Sequence, residues 1–126
     1  MNELHKTERL NSKIVIEKMF EGGSSRSFSI FPLRAVYMVT EKGDAPASIL
    51  ISVPKKRFKR AVKRNRVKRQ IREAYRINKT SLWRSLEERE LKIAVAFIYL
   101  SDELISSVEI EAKLKLLLDR IAERLP

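Results

Sequence analysis

The sequence predicts one α+β domain over residues 1–126, an α/β sandwich in the order α-β-β-(β)-α-β-α. Two observations carry this reading. Segments with apolar residues at helical spacing alternate with short runs rich in β-branched and aromatic residues. The chain, at 126 residues and 14.7 kDa with 44% hydrophobic residues, has the size of a single core. No repeat or linker divides it, and no apolar run approaches the length of a membrane span.

The first helix is predicted from about Asn11 to Glu21, with Val15, Ile16, Met19 and Phe20 as its apolar stripe and Gly22-Gly23 as its stop. A strand region follows from about Phe28 to Thr40, in which Pro32 marks an irregularity or the end of a short strand before the main one. A further strand runs from Ala47 to Val53, and Glu41 to Pro46 between the two reads as a hairpin loop. After Pro54 a helix is predicted from about Lys59 to Asn78. Val67, Ile71, Ala74 and Tyr75 form its core seam, and Asn65, Arg69, Arg72 and Arg76 lie on the opposite, exposed face. A short helix is expected around Trp83 and Leu86. Leu91 to Tyr99, almost continuously apolar, reads as a central strand covered on both sides. Ser106-Ser107-Val108-Glu109 resembles a capping box and opens a last helix with Ile110, Leu114, Leu117, Leu118, Ile121 and Leu125 as its apolar face.

Charge is distributed unevenly. The chain carries 27 Lys and Arg against 16 Asp and Glu, a formal net charge of +11. Eleven of the basic residues and none of the acidic ones fall between Lys55 and Arg72, so the remaining residues sum to zero. Like charges concentrated in one segment repel one another and destabilise the folded state unless a polyanion offsets them. Surface helices ordinarily alternate signs to gain i,i+4 pairs, and this segment has no acidic partner before Glu73. Nucleic acid is the polyanion the pattern favours. A structural ribosomal or tRNA-binding protein is the alternative reading, with an anionic membrane surface a distant third. A basic-region helix for a DNA major groove needs a following zipper or a helix-turn-helix partner, and neither follows.

Several chemistries are excluded. With no cysteine there is no disulfide framework, thiolate nucleophile or Cys-based zinc site, and His5 is the only histidine. No Gly-rich phosphate loop is present. The acidic pairs Glu87-Glu88 and Asp102-Glu103 sit in polar stretches and read as solvated. No catalytic residue is therefore expected, and the sequence assigns no metal ligand. The polar N-terminus lacks a secretory h-region, and a cytoplasmic location is expected.

Arg64-Asn65-Arg66, embedded in the run from Ala61 to Ala74, resembles the signature helix of the bacterial ribonuclease P protein subunit. Ile51-Ser52-Val53-Pro54-Lys55-Lys56 is similar to the strand and Lys-Lys turn that precede it. Glu8-Arg9-Leu10, the Met19-Phe20-Glu21-Gly22 helix end, and the last strand-helix pair fall in the family's order, so the likeness runs from about Arg9 to Leu125. Arg57-Phe58-Lys59-Arg60 departs from it, since family members often carry a small residue and a Gly there. The resemblance implies a left-handed βαβ crossover, an exception to the usual rule. It also implies a ribonucleoprotein endonuclease that removes the 5′ leader of precursor tRNA. In such an enzyme the RNA subunit holds magnesium and performs the hydrolysis, while the protein binds that RNA and the leader. By the same resemblance Lys55, Lys56, Lys63, Arg64, Asn65, Arg66, Lys68, Arg69 and Arg72 contact the RNA subunit. Ile16, Phe20, Phe31, Leu33 and Tyr37 are the candidates for a leader groove between the first helix and the sheet.

Overall fold

Sheet order decides the architecture. In the computed structural model, which describes residues 8–21, 23–41 and 43–126, four strands lie side by side. They are β1 (Arg26–Ile30), β2 (Leu33–Thr40), β3 (Ala47–Ser52) and β4 (Lys92–Tyr99), in the spatial order β1-β2-β4-β3. The helices are α1 (Lys13–Glu21), α2 (Ala61–Asn78), α3 (Thr80–Glu88) and α4 (Ser107–Glu123). Gly22, His5 and Lys42 lie outside the described residues. None of these helices is long and apolar enough to cross a membrane.

β1 and β2 form an antiparallel hairpin whose two-residue turn is Phe31-Pro32. β2 also pairs antiparallel with β4, and β4 pairs parallel with β3. The expectation of a hairpin across Glu41 to Pro46 is therefore corrected: β2 and β3 are not neighbours, because β4 lies between them. The cause is in β4 itself. Ile93 to Phe97 are all buried, and a strand that is apolar on both faces is stable only in the middle of a covered sheet. The parallel β3–β4 pair then needs a long crossover, which α2 and α3 supply.

The two sheet faces carry different cores. On one, Leu33, Ala35, Tyr37, Ile49, Ile93, Val95, Phe97 and Tyr99 pack under α2, α3 and α4. On the other, Val15 and Met19 of α1 cover Val36, Met38, Ala94 and Ala96. Ser106 caps α4 as expected, its hydroxyl accepting from the Glu109 N–H at 3.2 Å. α2 starts at Ala61 rather than Lys59, because Arg60 is extended (φ −84°, ψ 128°).

Candidate nucleic-acid interface

Pro54 ends the strand segment, and Lys55 to Arg57 form a turn closed by Arg57 N–H donating to the Pro54 carbonyl at 3.0 Å. Phe58 anchors it. The ring is buried and stacks on Tyr99, with centroids 6.0 Å apart and planes at 29°. Arg57 pairs with Asp102 at 3.1 Å. Lys55 and Lys56 are thus held exposed on a turn fixed at both of its following residues.

α2 then presents its charge. Val67, Ile71, Ala74 and Tyr75 are buried against the sheet and α4, while Lys63, Asn65, Arg66 and Arg69 are exposed. Lys68 and Arg72 are half-buried on the flank towards β3. Arg64 differs from its neighbours: its Nη1 donates to the carbonyls of Phe58 and Lys59 at 2.7 and 2.9 Å, so part of its fork ties the helix to the preceding loop. On the other flank Gln70 Nε2 donates to the Ile105 carbonyl and Ser107 Oγ, fixing α2 to the start of α4. The exposed cationic run ends at Glu73, which pairs with Arg76; the hydrogen bond from Arg76 holds its carboxyl below the usual carboxylate range.

The C-terminal end of α2 is locked. Trp83 Nε1–H donates to the Tyr75 hydroxyl at 2.9 Å, and burial pushes the Tyr75 hydroxyl up from the usual phenol range. Lys79 lies 4.6 Å from the Trp83 ring centroid and pairs with Glu8 at 2.7 Å, with side-chain exposures of only 7% and 1%. That pair brings the N-terminal segment to the crossover. The next residue, Arg9, bridges to Ile49 on the outer edge of β3 and joins Lys68 and Arg72 around a cavity of about 250 Å³. Arg9 is a cation that sequence reasoning did not assign to the site. Its only signal was its place beside Glu8 and Leu10, which says nothing about a distant helix.

The face that carries α1 is only partly covered. Beyond Val36 and Ala96 the register aligns Ser29, Arg34, Ile98 and Ser52 in one row across all four strands. Arg34 is exposed there and donates to Ser27 Oγ at 3.3 Å. From Ser52 the chain leads through Val53 and Pro54 to Lys55 and Lys56, so the row runs towards the basic turn. Of the proposed leader residues, Ile16 is half-buried and Phe20 is 53% exposed, both on one flank of α1, and Phe31 is 62% exposed at the β1–β2 turn. Leu33 and Tyr37 are corrected. They are 0% and 4% exposed and belong to the core under α4, on the face opposite α1. Alternation along β2 turns Arg34, rather than Leu33, towards the α1 side.

Among the described residues no group of three or more His, Cys, Asp or Glu side chains could hold a metal ion.

Residues 4–122 match the family described as Ribonuclease P. The chain is 46% identical over 124 residues to a ribonuclease P protein component of Porphyromonas gingivalis, covering 98% of this chain and 89% of that protein. It is 34% identical over 104 residues to one from Chlorobaculum tepidum, covering 78% and 68%. In fold it is similar to the solved RNase P protein of Staphylococcus aureus, with TM-score 0.71, 20% identity, and 92% and 96% of the two chains covered. The RNase P protein from Thermotoga maritima gives TM-score 0.70 at 21% identity, with coverage of 90% and 96%.

Proposed function

The chain belongs to the ribonuclease P protein family, and on that premise we propose that it is the RNA-binding protein subunit of a tRNA-processing ribonucleoprotein. It binds the catalytic RNA subunit through α2 and the Lys55-Lys56 turn, and it guides the 5′ leader of precursor tRNA along the α1 side of the sheet. Magnesium and the hydrolytic step belong to the RNA subunit in this reading, and the site of action is the cytoplasm. The observation that carries it is the exposed, unbalanced charge of α2, displayed on a helix whose other sides are fixed by core packing, Gln70 and Arg64. Each phosphate neutralised releases counterions, so binding is steeply salt-dependent. The fixed geometry limits the entropy lost on docking.

RNA recovered with the chain from cells tests this. One long, structured RNA that restores leader removal supports the reading, whereas recovery of ribosomal RNA alone would replace it with the structural ribosomal alternative.

Phe20 tests the leader arm. Because its ring is exposed, Phe20→Ala should leave the melting temperature within a few degrees of wild type. Precursor tRNA affinity of the holoenzyme should fall by about 1 to 3 kcal/mol, the loss of one base–aromatic stack, with mature tRNA affinity unchanged. Equal losses for both tRNAs would remove Phe20 from the leader path.

A further inference from the structure

Phe28 projects from β1 onto the sheet face that α4 covers, and two arginines of α4 lie over its ring. The Arg120 and Arg124 guanidinium carbons are 5.6 and 5.0 Å from the ring centroid. Tyr37 meets the same ring edge-on at 6.2 Å. Arg26 stands two residues before Phe28 on the strand, directly opposite Tyr37 in register. Arg26 and Arg124 line a cavity of about 250 Å³ together with Tyr37, Met38 and Val39. The Tyr37 hydroxyl is buried without a hydrogen-bond partner among the described residues.

None of these three arginines makes a side-chain ion pair within 4.0 Å or a side-chain hydrogen bond among the described residues. Asp119 and Glu123, each one position back on α4, pair with neither Arg120 nor Arg124. The helix dipole accounts for basic residues at the C-terminal end of α4, but not for Arg26, which comes from a strand. An aromatic face that orders guanidinium groups while no carboxylate consumes them leaves their forks preset for an external anion.

We propose that Arg26, Arg120 and Arg124 around Phe28 form a second contact for RNA phosphates, occupied by the same large RNA that α2 binds. The inference rests on the RNA-subunit reading above. It places the contact on that RNA because α4 packs directly beside α2, joined to it by Gln70, in the layer that covers one side of the sheet. The proposed leader path lies on the other side. A folded RNA can span two cationic surfaces of one layer, and two anchors fix its orientation where one would leave it free to pivot.

The test measures affinity for the RNA subunit as a function of salt for wild type, Arg69→Ala, Arg120→Ala/Arg124→Ala and Arg120→Lys/Arg124→Lys, with melting curves for each. Loss of two phosphate contacts should lower the slope of log affinity against log salt by roughly 1.4 to 1.8 in the double alanine variant. Arg69→Ala should lower it by about 0.7 to 0.9, and the double lysine variant should retain the wild-type slope. A reduced slope for Arg69→Ala with an unchanged slope for the double alanine variant would overturn the second contact and leave the α2 interface standing. No change in either would overturn the RNA-subunit reading itself. A defect confined to precursor tRNA binding by preassembled holoenzyme would also overturn the assignment, since it would place the arginines on the substrate.

Discussion

Mixed with precursor tRNA and magnesium at low salt, the isolated chain should leave the substrate intact, and the leader should be released only when the RNA subunit is added. The expected contrast is all or nothing. Hydrolysis of a phosphodiester by protein groups ordinarily needs carboxylates converging on one or two ions. Among the described residues no such cluster exists, and α2 carries no acidic residue from Ala61 to Arg72. Gel analysis of end-labelled precursor, with the protein first freed of nucleic acid, makes the measurement. Correct 5′ cleavage by the RNA-free protein would refute the division of labour proposed here.

Lys79→Met should be the most damaging single change to stability outside the apolar core. It leaves the Glu8 carboxylate buried without the Lys79 ammonium and removes the cation over Trp83. Breaking one side of a buried pair costs about 3 to 5 kcal/mol. For a chain of this length that corresponds to a fall of roughly 10 to 20 °C in melting temperature. Replacing both partners, Glu8→Leu with Lys79→Met, should recover most of the loss, because an apolar pair carries no desolvation penalty. Thermal unfolding of the two variants decides it. A single variant within a few degrees of wild type, or a double variant worse than the single one, would mean that the pair does not hold the N-terminal segment.

The helices and strands were legible because each carries its own periodicity. Val67, Ile71, Ala74 and Tyr75 mark the buried side of α2 without help from any other element. The cap at Ser106 and the break at Pro32 are equally local. What failed was pairing. Nothing between Glu41 and Pro46 records that β4 will enter between β2 and β3, because that choice is made by the burial of residues fifty positions away. The same limit misplaced Leu33 and Tyr37. A strand's alternation separates two faces, but which face receives α1 and which receives α4 depends on long-range packing. At the site, the exposed cations of α2 were readable from charge and spacing. The inward turn of Arg64 and the arrival of Arg9 beside Lys68 depend on loop and edge geometry that no local pattern encodes.

The position of β4 has a consequence for the order of synthesis. As the chain leaves the ribosome, the β1–β2 hairpin can close on local contacts alone, and β3 follows it out. The strand that must lie between them arrives only after α2 and α3. Sheet closure is thus a late, non-local event, the kind of step that slows folding and leaves apolar edges open in the meantime. The cationic segment emerges during that interval, next to a particle built largely of RNA. The nascent chain displays its charge before it owns the sheet that will aim it, and its first electrostatic encounters precede its final shape.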